Sequence, residues 1–206
     1  MEPQPSGGVR AKFAQEPALH DTIALLFNMY EILCPALLEH SRELARTCEG
    51  FAVALGWDED QAKVAYLAGL FHDVGHLMAP SNIANWKGET PPRVDMATKH
   101  PSLGERLLHR VGCLQEILPA VRHHHENFNG NGFPDGLAGE DIPPLARLVT
   151  VAHEYQTLLR GYDTTPPLSD REAREVIAED AGVILDPEMV KVFLAHLPPV
   201  GKEKKK

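Results

Sequence analysis

An adjacent histidine and aspartate, His72-Asp73, end an apolar segment of the sequence and are the first residues that suggest chemistry. Further histidines follow at His100, in the run 123–125 and at His153. Neutral imidazole and carboxylate together suit Zn, Fe, Mn or Co, and one carboxylate can bridge two such ions. A single buried histidine is more often a hydrogen-bonded core residue. Eleven histidines, several of them beside apolar segments, favour a metal site instead.

The elements that must position these residues are indicated by apolar side chains spaced three and four apart from Pro17 onward. This pattern predicts helices over 18–32, 35–55, 58–76, 102–111, 115–124, 143–160, 169–181 and 187–196. Asp58 and Ser169 are placed to cap two of them. No segment alternates like a strand, so the predicted fold is all-α. His40 lies one helix before the His-Asp pair, so several helices must converge, as they do when a bundle builds a metal site in its core.

Composition predicts one domain and excludes some partners. With 206 residues and 43% apolar side chains the chain can bury one sizeable core. We expect a disordered segment over 1–16, a helical domain over 17–200 and a basic tail over 201–206. The net charge of −9 argues against DNA, RNA or an anionic membrane as partner.

The cysteines and the longest apolar stretch predict a cytoplasmic protein. Cys34, Cys48 and Cys113 have no zinc-binding spacing, and no signal peptide precedes them. Reduced thiols follow from this. The apolar stretch 23–38 is too short and too interrupted to span a bilayer.

Two irregular stretches separate the predicted helices, at 78–95 and 127–141. The second, NFNGNGFPDGLAGED, is rich in glycine and carries Pro134. Its composition fits an ordinary surface loop equally well. Its place directly after the histidine run indicates a role at the site.

The order of these residues resembles the HD-GYP group of HD-domain phosphodiesterases. The matching segments are GLFHDVGH, KHPSLGERLL, HHENFNGNGFPDGLAGEDIPPLARLVTVA and LDPEMVKVF, and together they cover about 33–197. The resemblance implies a single all-helical HD domain with two or three metal ions in its core, often iron or manganese. It also implies hydrolysis of the bacterial messenger cyclic di-GMP.

The resemblance further implies a set of metal ligands, with Asp73 as the bridging carboxylate. A histidine stands where the family has its second metal-binding aspartate. Ala36 occupies the position of a glutamate that binds a third ion in some members, so two divalent ions are expected. Fe or Mn is favoured, and Zn, Co or Ni also fits. The implied ligands are His40, His72, Asp73, His100, His124, His125 and His153.

Two ions about 3.5–4 Å apart can lower the pKa of a shared water and place the resulting hydroxide in line with a phosphodiester. His76 replaces the family's usual lysine and lies one turn beyond His72 on the predicted helix. It could protonate the leaving 3′-oxygen, bind phosphate or become an extra ligand. Alternatively, it is a surface histidine near a helix end. We assign Asp73 and His76 as the catalytic residues.

The glycine-rich loop is the predicted substrate-binding segment, although it reads NGNGFP where the family has DGxGYP. Its candidate substrate-binding residues are Asn129, Asn131, Gly132 and Phe133. Phe133 and Trp86 could stack on a guanine or belong to the core. Arg122 and Arg147 could bind phosphate or form structural ion pairs.

Three functions remain open from the sequence. The first is an enzyme that hydrolyses a cyclic dinucleotide, cyclic di-GMP above all. The second is a degenerate HD-GYP module that binds nucleotide or a partner protein without turnover, which the altered loop and His153 favour. The third is an HD-domain phosphohydrolase with another substrate. Because 16 residues are too few for a sensor domain, we expect regulation by a separate sensor or signalling protein.

Overall fold

The computed structural model describes residues 17–78, 96–161 and 166–197 and is built from helices. Their bounds are α1 Pro17–Leu33, α2 Pro35–Ala54, α3 Glu59–Phe71, α4 Met96–Leu108, α5 Leu118–His123, α6 Pro144–Arg160, α7 Asp170–Glu179 and α8 Pro187–His196. Short 3₁₀-helices cover Val74–Met78, Gly112–Ile117 and Gly139–Asp141. Over these ranges the sole β-type pairing is an isolated bridge between Ala181 and Leu185, so the all-α prediction is confirmed.

Local sequence explains where several helices begin. The Asp58 side chain accepts from the Gln61 backbone N–H while the Gln61 side chain accepts from the Asp58 N–H, a reciprocal capping box. Ser169 and Glu172 form the same arrangement at the start of α7. Both predicted N-caps are therefore present.

Three predicted helices have other bounds in the structure. The helix predicted over 58–76 ends at Phe71, and the 3₁₀-helix Val74–Met78 follows it. His76 is therefore not one turn beyond His72 on a continuous helix, which corrects that prediction. The helix predicted from 102 begins at Met96 and contains Pro101. The helix predicted over 115–124 is divided into the 3₁₀-helix Gly112–Ile117 and α5.

Helix α6 lies at the centre of the bundle and contacts α2, α3, α5, α7 and α8. The most extensive helix pair is α2 with α3, where Gly69 allows a close approach: a Cβ there would lie 2.9 Å from the Ala45 Cα. Phe193 of α8 packs edge-on against Phe51 and Tyr155. These contacts enclose one apolar core and direct the inner faces of α2, α3 and α6 toward each other.

Several predictions fall on residues outside the described ranges: the segment 1–16, most of the irregular stretch 78–95 with Trp86, and the tail 201–206. None of the described helices combines the length and the hydropathy that crossing a bilayer requires. The described cysteines, Cys34, Cys48 and Cys113, form no disulfide.

Candidate metal centre

Asp73 lies two residues beyond the end of α3, is 7% exposed, and turns its two carboxylate oxygens toward different histidines. Its Oδ2 atom is 3.2 Å from the Nε2 atom of His72. Its Oδ1 atom is 3.1 Å from Nε2 of His100 and 3.6 Å from Nε2 of His124. A carboxylate in this position can bind one ion through each oxygen.

All seven ligands implied by the resemblance come together around this carboxylate in two groups. Within each group the potential ligand atoms lie within 4.8 Å of one another, and Asp73 is the member that both share. The first group contains His40, His72, Asp73 and His153. The second contains Asp73, His100, His124 and His125. The arrangement fits two ions bridged by one carboxylate.

Backbone carbonyls orient three of the imidazoles. Nδ1 of His72 donates to the Gly69 carbonyl at 2.9 Å, and Nδ1 of His100 donates to the Met96 carbonyl at 2.8 Å. Nδ1 of His124 donates likewise to a carbonyl one turn earlier in α5. With Nδ1 carrying the proton, Nε2 keeps its lone pair and faces the Asp73 carboxylate. Such outer hydrogen bonds fix the tautomer of metal-binding histidines.

The charges of the centre suit cations. Burial lowers the pKa of His40 and of His124 to about 4, and it also lowers the pKa of His125 and of His153 well below the usual value. Burial alone would raise the pKa of the Asp73 carboxyl, but the neighbouring histidines outweigh it and hold that pKa well below its usual value. Near neutral pH these four imidazoles are therefore neutral and the carboxylate is ionised.

Two buried ring nitrogens support metal binding most directly. Nε2 of His72 and Nδ1 of His40 have no hydrogen-bond partner anywhere in the described part of the chain. Buried polar atoms are nearly always satisfied, so an unsatisfied pair in a histidine cluster needs an explanation. Metal coordination supplies one, and we conclude that the residues present fit the metals that the resemblance implies.

The second group depends on close packing between α4 and the 3₁₀-helix that follows Asp73. A Cβ at Gly75 would lie 1.9 Å from the carbonyl oxygen of His100 and 2.8 Å from the backbone N of Gly104. A Cβ at Gly104 would in turn lie 2.8 Å from a methyl carbon of Val121 in α5. Glycine at these positions lets His100 approach the carboxylate.

Glu126 organises the glycine-rich loop, a role that our sequence analysis did not assign to it. Its buried carboxylate accepts hydrogen bonds from the backbone N–H groups of Asp135, Gly136 and Leu137 at 2.7–3.2 Å. Gly132 packs beneath this turn, where a Cβ would lie 2.2 Å from the backbone N of Asn127. Glu126 directly follows His124 and His125 of the second group, and this position was the feature of the sequence that could have indicated its role.

The loop residues predicted to bind substrate lie around the second group. The Phe133 ring stacks on His125, with centroids 4.9 Å apart and planes inclined by 20°, and the Phe133 N–H donates to the His125 carbonyl. Asn129 accepts from the Asn131 N–H at 3.0 Å, which shapes the turn. Contact of these side chains with a base stays a prediction.

His76 lies at the edge of the centre. Its ring stacks on His100 with centroids 4.3 Å apart, and its Nε2 atom is 3.9 Å from Oδ1 of Asp73. Burial lowers its pKa. The residue is 31% exposed at its side chain, so it is closer to solvent than His100. This position is compatible with each of its predicted roles.

The two arginines considered as phosphate ligands form structural ion pairs. Arg122 contacts Asp135 through two hydrogen bonds of 2.8 Å and Glu105 through one of 2.6 Å. Arg147 pairs with the buried Asp186. His123 donates to Asp135 within the same network as Arg122 and lies outside both ligand groups.

Comparison with known proteins agrees with this geometry. Residues 24–189 match the family model of the HD domain. A 3′3′-cGAMP-specific phosphodiesterase of Vibrio cholerae is 28% identical over 160 residues, 76% of this chain and 31% of that protein. A cyclic di-GMP phosphodiesterase of Pseudomonas aeruginosa is 32% identical over 168 residues, 79% of this chain and 40% of that protein. The chain thus spans less than half the length of either relative.

A solved structure shares the fold. An HDG"Y"P protein from Bdellovibrio bacteriovorus superposes with a TM-score of 0.60 at 24% identity, over 76% of this chain and 50% of that chain. The resemblance to the HD-GYP group, first noted from the order of the histidines, is thereby confirmed. Since the family match covers most of the helical bundle and both ligand groups, this chain belongs to the HD-domain family.

Proposed function

We propose that this chain is a metal-dependent phosphodiesterase that hydrolyses a cyclic dinucleotide, cyclic di-GMP in particular. The observation that carries the proposal is the Asp73 carboxylate, whose two oxygens face two separate groups of histidines. The relatives support the substrate class, because they are named for cyclic di-GMP and for 3′3′-cGAMP.

Two divalent ions, Fe or Mn, would be held by the two groups that share Asp73. When bound, such a pair supplies an activated water and neutralises charge on the phosphate under attack. The chain's own residues set this up, since the neutral imidazoles leave lone pairs for coordination and Asp73 contributes one negative charge. Burial excludes competing solvent from His72 and His124.

The residues around the centre have proposed roles toward the substrate. His76, at the edge beside Asp73, would protonate the leaving 3′-oxygen or bind phosphate. The loop formed by Asn129, Asn131, Gly132 and Phe133 would contact the base, because it lies against His125. Phe133 also keeps His125 in place through their stacked rings.

The decisive experiment measures metal content and cyclic di-GMP turnover on the same preparation, purified without chelator. We expect close to two transition-metal ions per chain, and Asp73→Ala should lose both dinuclear binding and turnover while it keeps the helical fold. Asp60→Ala is the matched control, because Asp60 is a partly exposed carboxylate in the first turn of α3 whose contact with Lys63 is 3.9 Å long. Retention of two ions and full activity in Asp73→Ala would show that the bridge is wrongly placed.

A second candidate function is a module that binds nucleotide without turnover. It is favoured by His153, which stands in the first group where the family has an aspartate, and by the rewritten loop. This candidate predicts metal and cyclic di-GMP binding with no hydrolysis of cyclic di-GMP or 3′3′-cGAMP. Turnover of a different phosphate ester in the same assay would favour the wider HD-domain phosphohydrolases.

The proposed location and partners are those predicted from the sequence. We propose a cytoplasmic location, supported by three cysteines without a disulfide among the described residues. A separate sensor or signalling protein is the proposed regulatory partner. The acidic net charge of −9 supports the absence of DNA, RNA and membrane surfaces from the set of partners.

A further inference from the structure

Two buried hydroxyl groups beside the metal centre have no part in the proposed chemistry. Tyr30 of α1 is 1% exposed, and Ser41, which follows His40 on α2, is fully buried. Neither Tyr30 Oη nor Ser41 Oγ makes a hydrogen bond of normal geometry within the described ranges, although the two hydroxyls lie close enough for Ser41 to affect the pKa of Tyr30. An unsatisfied buried hydroxyl is costly, so two of them on facing helices indicate a hydrogen-bonding ligand between them.

The surroundings of Tyr30 place this pair next to Asp73. The Tyr30 ring packs edge-on against Phe71, the residue before the His-Asp pair, with centroids 6.4 Å apart. Burial and then the negative charge of Asp73 raise the pKa of Tyr30 well above its usual value, whereas Ser41 lowers it. The Tyr30 hydroxyl is therefore within electrostatic reach of both Ser41 and Asp73.

The size of the ligand is limited by burial. A cyclic dinucleotide cannot reach side chains that are 1% and 0% exposed. A direct hydrogen bond from Tyr30 to Asp73 is not made. A single water needs only two to four polar partners, and the two hydroxyls with the Asp73 carboxylate supply three.

We propose that Tyr30 and Ser41 are positioning residues that hold one buried water against the Asp73 carboxylate. This water fixes the orientation of the carboxylate shared by both ligand groups, and through it α1 contributes to metal binding. The inference rests on the metal centre of the proposed function. Tyr30 and Ser41 themselves supply no ligand atom to either group.

Loss of either hydroxyl should weaken metal binding more than it weakens the fold. Outer partners of a metal ligand typically change metal affinity by about 10- to 100-fold when they are removed. Tyr30→Phe keeps the aromatic ring against Phe71 and deletes only the oxygen. Ser41→Ala deletes the other oxygen with almost no change of volume.

The test is a Mn²⁺ titration of the full chain by calorimetry after chelator treatment, together with thermal unfolding of the metal-free protein. We expect each variant to bind Mn²⁺ about tenfold more weakly with little change in Tm. The double variant should bind Mn²⁺ with about the affinity of whichever single variant binds it more weakly, because both hydroxyls act through one water. Tyr66→Phe, which removes a hydroxyl from a half-buried tyrosine of α3, is the control and should bind as the unaltered chain does.

Three outcomes would overturn the inference. Unchanged Mn²⁺ affinity in Ser41→Ala and in Tyr30→Phe would exclude a positioning role. A lower Tm with unchanged affinity would assign both hydroxyls to packing alone. Absence of Mn²⁺ binding by the unaltered chain would defeat the proposed function along with the inference, whereas binding without hydrolysis of cyclic di-GMP would leave only the catalytic proposal in error.

Discussion

His153 is the residue at which this centre departs from the family pattern. Its ring centroid lies 5.5 Å from that of His40 and 5.1 Å from that of His72, so it belongs to the first ligand group. Burial lowers its pKa well below the usual value and keeps it neutral. With an imidazole in place of a carboxylate, Asp73 provides the sole negative charge among the ligands of that group. The ion there should be held more weakly than an aspartate at this position would hold it.

Substitution of His153 distinguishes a ligand from a core histidine. His153→Asp should strengthen binding of the ion in the first group and keep or raise cyclic di-GMP hydrolysis. His153→Ala should lose one ion and at least about tenfold in turnover, because loss of even an outer partner of a metal ligand typically costs about 10- to 100-fold. Metal content and initial rates of both variants, measured with and without added Mn²⁺, provide the check.

Normal rates and two ions in His153→Ala would mean that His153 is a packed core residue. The first group would then close with another side chain. Glu154 and His76 are the nearest candidates.

Residue type and order were enough to name the candidate ligands that the structure brings together, but not how the chain supports them. No distance between Asp73 and a histidine can be read from residue order, so the division into two groups needed the structure. The structural role of Arg122 also depends on Asp135 and Glu105, which are 13 and 17 residues away along the chain. Long-range pairs of this kind leave no local pattern in a single sequence.

At the level of elements, the contact between α4 and the 3₁₀-helix after Asp73 controls the second ligand group. The backbones touch at Gly75, where a Cβ would overlap the His100 carbonyl oxygen at 1.9 Å. Backbone atoms cannot move aside as a flexible side chain can. The two elements must therefore separate if any side chain is added there.

Gly75→Ala is expected to displace α4 and with it His100. The cost of such overpacking is typically about 1–3 kcal/mol of unfolding free energy. Binding of the ion in the second group should weaken while the first group stays intact. Gly112→Ala is the matched control, because a Cβ there meets no atom within 4 Å.

Urea unfolding and Mn²⁺ titration of the two glycine variants give the measurement. Equal stability and equal metal binding of Gly75→Ala and the unaltered chain would show that the backbones are not in close contact. A loss of stability in Gly112→Ala as large as in Gly75→Ala would instead indicate a general effect of replacing glycine in a short helix.

Helix positions were predictable where caps and periodicity agree, and less so where tertiary contacts decide. Helix α8, Pro187–His196, has the predicted bounds, with the Asp186 side chain accepting from the first backbone N–H groups. Helix α4 begins at Met96 although Pro101 lies inside it, against the usual cost of an internal proline. Packing of α4 on Val74–Met78 offsets that cost and is invisible in the local sequence.

In the whole molecule, the metal centre joins most of the bundle. Its proposed ligands come from α2, α4 and α6 and from the residues that follow α3 and α5. Bound ions would therefore cross-link five parts of one core and stabilise the folded state by mass action. Without metal, the same core holds neutral histidines that an unfolded chain would protonate more readily.

The stability of the metal-free chain should consequently depend on pH. The pKa of His40 and of His124 is about 4 in the folded protein, against about 6.5 for an unfolded chain. Between these values the unfolded state binds more protons, so stability is complete above pH 6.5 and is lost as the pH falls toward 4. Each such histidine contributes up to about 1.4 kcal/mol per pH unit.

We expect urea unfolding of the chelated protein to show a falling free energy from pH 7 to pH 5. Excess Mn²⁺ should raise the free energy of unfolding at pH 7, and it should raise it by a smaller amount at pH 5, because protons compete with metal for the same imidazoles. Asp73→Ala should keep much of the pH dependence in chelator but lose most of the response to Mn²⁺, since it removes the shared carboxylate and leaves the histidines buried. A free energy of unfolding that stays constant between pH 7 and pH 5 would mean that the histidines bind protons as readily in the folded state as in the unfolded state, contrary to a centre arranged for cations.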